Sequence, residues 1–360
     1  MTDRAATALA KAFDGTRAVL FGRARSAHLA LFEALGLHAR SCILIPSNVC
    51  PSLLACAWAS GAEVRLAPVS AETGVTEDAR LARQIRTLSR PGRRGAVLLT
   101  HLYGFRLDFS ETRKAAQELG WITIENDANV SSFSPKARLE DVARIVSFGP
   151  GKVLDAGSGG AVITRDAPLA DDLERIAARY PRLDDWAERD EDKLMLARRA
   201  LRQAGQPEQI EATLLEEVRQ LRFGFDPDVE DVLLHALGRL PVRLAERRER
   251  RENWIEALSG FAPHVKVLDK NQTAPWRLIV KVDAALRDPL INALRKAGLD
   301  AGTNYPALTE SFPNLTGPDA HPDADAWSRS VINLWLDARY DDARINTART
   351  VMEPVLEALT

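Results

Sequence analysis

The stretch Ser147-Phe-Gly-Pro-Gly-Lys152-Val-Leu-Asp-Ala-Gly-Ser-Gly-Gly-Ala-Val-Ile-Thr164 carries most of the information in this chain. A β-rich run, Ile145-Val-Ser-Phe148, enters a glycine-rich turn that presents one lysine, and a second glycine-rich turn leads into Ala161-Val-Ile-Thr164. A lysine alone among glycines and apolar residues is a candidate for a depressed pKa, because desolvation disfavours the ammonium; the neutral amine is the form that attacks an aldehyde to make a Schiff base. The phosphate-loop pattern does not fit, since Val153 follows the lysine where Ser or Thr is required. From these residues alone, a Schiff-base lysine, a phosphate-binding lysine and an ordinary loop lysine all stay open.

Working outward, short apolar runs alternate with helical patterns through the first half: Ala18–Phe21, Ile43–Ile45, Glu63–Leu66, Ala96–Thr100 and Ile122–Ile124 precede the two runs already named. Strand and helix in alternation predict an α/β sheet. Ser26–Leu37 and Glu111–Leu119 read as helices between strands. From about Pro168 to Leu221 the pattern turns helical and charge-dense. A long helix is expected from Val229 through Trp254, kinked or split at Pro241. Beyond it, Val265–Leu268, Arg277–Val282 and Val331–Leu336 read as strands, with helices at Pro289–Ala297 and Ala343–Leu359. We therefore expect a large domain over 1–230 and a smaller C-terminal α/β domain over 231–360.

The 360 residues, 46% hydrophobic and 27% charged, exclude a disordered or collagen-like chain. A formal charge of -2 gives no global basic field, and with no helix-turn-helix or zinc pattern a nucleic-acid partner is not expected. Cys42, Cys50 and Cys56 are odd in number and lack C-x-x-C spacing, so neither a disulfide framework nor a metal site is expected. No secretory signal and no run of apolar residues of membrane-spanning length is evident, so the expectation is a cytoplasmic protein.

The lysine stretch resembles the DegT/StrS group of fold-type-I pyridoxal-phosphate enzymes, mostly nucleotide-sugar aminotransferases, whose Ser-Phe-x-x-x-Lys and Gly-Gly-Ala-Val turn match Ser147-Phe148 through Lys152 and Gly159–Val162. The likeness extends to Gly22–Ala27, Ile45–Ser47, Gly61–Val64, His101-Leu-Tyr-Gly104 and Ile124-Glu125, in order and spacing over about residues 16 to 165. It implies a large domain with a mostly parallel seven-stranded sheet, a small C-terminal α/β domain and a homodimer with a shared active site. It also implies pyridoxal 5'-phosphate as cofactor, Lys152 as Schiff-base lysine and proton carrier, and Ser147, Ser26 and the amides near Ser26 and Ala27 as phosphate cup. Independently, Ser26 opens a predicted helix, where free N–H groups and the dipole favour a phosphate; a plain N-cap serine is the alternative.

The sequence also departs from the resemblance. Relatives carry Asp-x-x-Gln or Asp-x-x-His after the strand-ending glutamate, the aspartate holding the pyridine nitrogen protonated; here those positions are Asn126 and Asn129, with Asp127 one residue later. A one-residue shift in a strand reverses the face. A bulge could bring Asp127 to the ring, the reaction could need less carbanion stabilisation, or transaminase activity could be lost. Where relatives often place an aromatic, Pro46–Pro51 offers Cys50, for which a buried structural cysteine is the competing reading. Gly224-Phe225-Asp226 resembles a Gly-Tyr-Asn segment that reaches a neighbouring subunit's phosphate, and Asp226 there would repel it.

His28 lies two residues past Ser26, His101 follows a strand at its carboxyl end, and Tyr305 lies in a segment that in relatives borders the substrate; His101 and Tyr305 are the substrate-side candidates. The expected function is amino transfer from a donor such as glutamate to a keto-sugar nucleotide or similar carbonyl acceptor. The alternatives are another pyridoxal-phosphate reaction, elimination or dehydration, and a non-catalytic binding protein.

Overall fold

The computed structural model describes residues 4–134, 138–182, 193–194, 196–198, 200–201, 204, 206–218, 220–268, 272–312 and 320–358. Seven strands form the main sheet: β1 (Arg17–Phe21), β2 (Ser41–Pro46), β3 (Glu63–Ala67), β4 (Arg94–Thr100), β5 (Ile122–Asn126), β6 (Ala143–Ser147) and β7 (Gly160–Thr164). Their order is β1-β7-β6-β5-β4-β2-β3, and β7 alone runs against the others. This is the mostly parallel seven-stranded sheet expected from the sequence, and helices cover both faces. On one side α1 (Arg4–Ala12), α2 (Ala24–Ala34), α3 (Pro51–Ala59) and α6 (Ala167–Ala177) share a core with Ile43, Ile45, Leu98, Ile124 and Ile145. On the other, α4 (Asp78–Leu88) and α5 (Ser110–Leu119) pack on Cys42, Leu44, Val97 and Leu99. Strands covered on both faces read as continuous apolar runs rather than alternating ones, as in Ser-Cys-Ile-Leu-Ile-Pro of β2, every residue of which is buried. Each such aliphatic side chain contributes about 1.5–3 kcal/mol.

A second sheet holds β8 (Val265–Leu268), β9 (Arg277–Val282), β10 (Ala301–Gly302) and β11 (Val331–Trp335) in the antiparallel order β10-β11-β9-β8. Helices Ala284–Lys296 and Asp342–Glu357 complete its core. Between the sheets runs one helix, Glu230–Leu258, which Pro241 neither splits nor ends. Its first half buries Leu233, Ala236, Leu240 and Leu244 in the first core, and its second half buries Trp254 and Leu258 in the other. Contacts at both ends offset the roughly 3 kcal/mol that a helix-interior proline costs. The charge-dense stretch expected to be helical resolves into α6 and the helix Pro207–Val218; residues 183–192 of it lie outside the described residues.

Two corrections bear on the site. Helix α2 begins at Ala24 with Arg23 as its N-cap, so Ser26 is inside the first turn and is not the cap. The Ala27 amide already closes that turn on the Arg23 carbonyl at 3.1 Å, which leaves the amides before it, not Ala27, as those without a helical partner.

The first turn of α2 is pressed onto the loop that carries the lysine. A Cβ at Gly160 would lie 2.4 Å from Ala24 Cα, so only glycine admits this approach. Gly160 is also the register partner of Ser147 across β6 and β7, which sets Ser147 beside the start of α2. Gly160→Ala is expected to destabilise the fold by about 1–3 kcal/mol, read as a lower urea midpoint at unchanged slope; an unaltered midpoint would contradict the close approach.

Candidate active site

Thr100, Asn126 and Ser147 end β4, β5 and β6 at the carboxyl edge of the parallel strands, where open α/β sheets bind their ligands. Alternation from Leu98, Ile124 and Ile145 puts all three on the α2 side. The same alternation puts Glu125 and Arg144 on the opposite side, as a buried ion pair at 2.6 Å. His101 belongs to that second group. Its Nε2–H donates to Glu125 at 2.7 Å and its Nδ1 accepts from the Leu107 amide at 3.1 Å, so both ring nitrogens are committed within the scaffold. Burial works to raise the Glu125 pKa, but His101, Arg144 and Arg106 together hold it well below the usual carboxylate range.

Asp127 is likewise committed. One oxygen accepts from the Ser131 amide and hydroxyl at 2.7 and 2.6 Å; the other accepts from the Ser132 amide at 2.9 Å and from its hydroxyl. Pairing of β5 with β6 runs without a bulge through Asn126 and Ile145, and the Asp127 amide continues it to Ile145 O at 2.9 Å. Asp127 therefore ties down the turn after β5. Asn126 is left on the α2 face with Nδ2 3.4 Å from Thr100 Oγ1 and with Oδ1 buried and unpartnered, as is Oδ1 of Asn129.

Lys152 projects from the loop between β6 and β7. Asp155 shapes that loop by accepting from the amides of Gly151 and Gly157, both at 2.8 Å, and Arg243 donates to the carbonyls of Val153 and Asp155. Trp276 holds it from across the site: its indole N–H donates to Gly151 O at 2.9 Å, and Lys152 Nζ lies 5.6 Å from its ring centroid. Lys152 as a residue is half-buried, with the amine at its inner end. Burial pushes the amine's pKa down, Arg277 adds to this, and Cys50 alone opposes it. The lysine thus leans toward the neutral, nucleophilic form.

Around the amine stand an exposed Cys50 at the head of α3, contrary to the reading of it as a buried structural cysteine, and Tyr305, which stacks on Trp276 at 5.9 Å between centroids. The Tyr305 amide bonds the Tyr103 hydroxyl at 3.3 Å, and Trp327 Nε1 donates to the same hydroxyl at 2.9 Å. From α2, His28 donates through Nδ1 to Ala24 O at 2.8 Å and keeps a bare, buried Nε2. Burial lowers its pKa to about 4, with the Lys152 charge acting the same way. The Ser26 hydroxyl accepts from the Phe223 amide at 3.2 Å and holds the 221–224 segment beside α2. Farther along, Asp226 pairs with Arg182 and caps the turn Pro227–Val229.

Trp276, Arg277 and Tyr103 went unnoticed as site residues in the sequence, although an aromatic beside an arginine at the mouth of a strand was a usable signal.

The set fits pyridoxal phosphate: a desolvated amine, a hydroxyl at Ser147 beside a helix N-terminus, and unpartnered buried acceptors on Asn126, Asn129 and His28. The profile of the DegT/DnrJ/EryC1/StrS aminotransferase family matches residues 2–354. The chain belongs to this family. As a DegT/StrS aminotransferase it uses pyridoxal 5'-phosphate as cofactor. Among solved structures it is similar to the aminotransferase TlmJ from Streptoalloteichus hindustanus, at 20% identity over 95% of this chain and 86% of that one, TM-score 0.75. It is also similar to a DegT DnrJ EryC1 StrS aminotransferase from Brucella abortus, at 18% identity over 97% and 88%, TM-score 0.75. A third is PseC from Helicobacter pylori, an aminotransferase of pseudoaminic acid biosynthesis, at 14% identity over 98% and 90%, TM-score 0.77. At these identities the likeness is one of fold. No curated protein matches the sequence. Among the described residues, no helix is long and apolar enough to cross a membrane and no acidic, His or Cys cluster could hold a metal.

The His28 shift has a testable sign. With a folded pKa near 4 against about 6.5 when unfolded, the unfolded chain binds more protons between those values, so His28 costs stability as pH falls through that window. The full loss is roughly 3 kcal/mol, reached below pH 4. His28→Gln is expected to flatten the urea-stability profile of the apoprotein between pH 6.5 and 4; an unchanged slope would contradict the buried neutral ring.

Proposed function

We propose that this aminotransferase moves an amino group from an amino acid such as glutamate to a carbonyl carbon of a keto-sugar nucleotide or a similar acceptor, with Lys152 as the residue that holds the cofactor and carries the proton. The observation that carries the reading is the Lys152 amine, desolvated against Trp276 at the carboxyl edge of the sheet and, among the described residues, without a carboxylate as an electrostatic neighbour. Bound pyridoxal phosphate supplies an aldehyde that joins primary amines and a ring that withdraws electrons from the carbon beside the nitrogen.

In this reading the Ser147 hydroxyl and the first-turn amides of α2 hold the phosphate, with the dipole of α2 favouring its charge. Ser26 contributes by fixing the neighbouring segment. Asn126 would be the residue at the ring nitrogen, a reading supported by its unpartnered Oδ1 and by the commitment of Asp127 to the serines after it. An amide can accept a proton's hydrogen bond there but brings no charge to favour that proton, so electron withdrawal is weaker than with an aspartate. Lys152 would hold the cofactor through its amine and, with a donor amine in its place, would be the base beside the carbon that gives up and regains the proton. Cys50 and Tyr305 wall the space above the amine. We infer a homodimer in which the 224–226 segment approaches a neighbouring site; the pairing of Asp226 with Arg182 supports this, because it offsets the repulsion of a phosphate. Asn126 also favours a second reading, elimination or dehydration on an amino acid or modified sugar.

Lys152→Ala is expected to abolish conversion of the bound cofactor to its amine form by L-glutamate, followed by absorbance; a variant that still converts it would overturn the assignment. Asn126→Asp is expected to speed that half-reaction by about tenfold or more, in line with the gain from a charge-assisted hydrogen bond. An unchanged rate and spectrum would remove Asn126 from the ring. A spectrum unmoved by L-glutamate while an amino substrate is consumed to a keto product and ammonia would favour the second reading.

A further inference from the structure

Asn126 ends β5 with its backbone pinned on both sides: its carbonyl accepts from the His101 amide at 3.0 Å, and the next amide, that of Asp127, donates to Ile145 O at 2.9 Å. Only the side chain is left to choose a direction. The two ends of an amide are nearly alike in shape and its terminal torsion is shallow, so hydrogen bonds decide which end points where. Thr100, the register partner of Asn126 on β4, makes that choice. Its hydroxyl donates to Leu98 O at 3.2 Å, and a hydroxyl has one proton, so what its oxygen offers Asn126 is a lone pair. Nδ2 of Asn126 donates to that oxygen at 3.4 Å. Oδ1 is thereby turned away from Thr100 and, among the described residues, stays buried without a partner. Thr100 is 4% and Asn126 6% exposed, so solvent has little part in the choice.

A buried acceptor left bare costs free energy that a donor on a bound group recovers. The acids next to this strand end are engaged elsewhere: Glu125 is bound by His101 and Arg144 on the far side of the sheet, and Asp127 by the serines of the next turn. The bases that the lysine loop and α2 bring to the site, Lys152 and His28, both have pKa values lowered by burial. Resting on the functional reading above, we propose that Thr100 is a positioning residue, one that fixes Asn126 with its amide oxygen toward the cofactor, so that the pyridine nitrogen is taken as N–H by an uncharged acceptor. Without the Thr100 hydroxyl the same amide is free to turn its N–H groups inward and bind the bare nitrogen instead. The distinction matters because a pyridine ring withdraws electrons better with a proton on its nitrogen than without one. An uncharged acceptor holds that proton through one hydrogen bond and adds no ion-pair attraction, so its retention rests on the orientation that Thr100 sets.

The test uses the full-length protein loaded with pyridoxal phosphate isotopically labelled at its ring nitrogen. The chemical shift of that atom, followed by solid-state NMR as pH is raised, reports whether it carries a proton, and the label keeps its titration apart from that of Lys152, His28, Cys50 or Tyr305. In the wild type the nitrogen should be protonated at the acid end and lose its proton in one step. Thr100→Val, close in shape but without the hydroxyl, should lower the midpoint of that step by about one pH unit, a tenfold loss of proton affinity and the size of one hydrogen bond. Thr100→Ser, which keeps the hydroxyl, should hold the midpoint near that of wild type. Thr100→Ala should give the same shift as the valine and replaces it if the valine variant does not take up cofactor. The proposal is overturned if the wild-type nitrogen is unprotonated throughout, which would put the amide N–H groups inward, or if Thr100→Val and Thr100→Ala leave the midpoint in place. It is also overturned if Thr100→Ser shifts the midpoint as far as Thr100→Val does, which would reduce the residue to packing. The shift is read without any amino transfer. A Thr100-dependent midpoint in a protein whose cofactor L-glutamate fails to convert would therefore overturn the amino-transfer reading and leave this inference standing, whereas a midpoint unmoved in Asn126→Leu would take Asn126 from the ring nitrogen and this inference with it.

Discussion

The arrangement depends on one constraint, an amine held largely out of water with no carboxylate beside it among the described residues. Lys152 could lower its energy by reaching solvent or an acid. The loop around it prevents both: Asp155 is turned back onto the amides of Gly151 and Gly157, and the acids of the neighbouring strand, Glu125 and Asp127, face the other way or serve the next turn. What meets the lysine instead is the Trp276 ring, whose own N–H is used to pin the same loop. Burial lowers the pKa of the amine, and the indole beside it brings no carboxylate to hold it as an ammonium.

Supporting that constraint takes both sheets. The first sheet delivers the loop, the start of α2 and the strand ends Asn126 and Ser147. The second delivers Trp276, Arg277 and Trp335 through β9 and β11, and Tyr305 through the segment after β10. The helix Glu230–Leu258 contributes Arg243 to the lysine loop and Arg247 to the Trp276 carbonyl, so it positions both walls of the site while sharing both cores. Glu125 is paired on both oxygens, with His101 and with Arg144, whereas Asn126, Asn129 and His28 each keep a buried acceptor without a partner.

The sheet was legible because its strands are continuous apolar runs bounded by turns, and all seven appear where Ala18, Ile43, Glu63, Ala96, Ile122, Ile145 and Ala161 place them. Lys152 stood out in the sequence because the glycines around it leave little else for the loop to do, and the structure buries its amine. The partners of Asp127 were not legible, since they depend on whether a strand bulges and come from Ser131 and Ser132 in the turn beyond it. The pairing of His101 was hidden for the same reason: a strand-end position says nothing about which face its side chain takes until Glu125 claims it. Trp335 meets Trp276 and Arg277 only through pairing of strands more than fifty residues apart, which no local pattern records.

The central claim is that the cofactor of this DegT/StrS aminotransferase is held by Lys152. Its most direct test is borohydride reduction of the purified protein loaded with pyridoxal phosphate, followed by proteolysis and peptide mapping. The account predicts one labelled peptide, that containing Lys152, with loss of the long-wavelength absorption band. A label on another lysine, or none despite a bound cofactor, would contradict it.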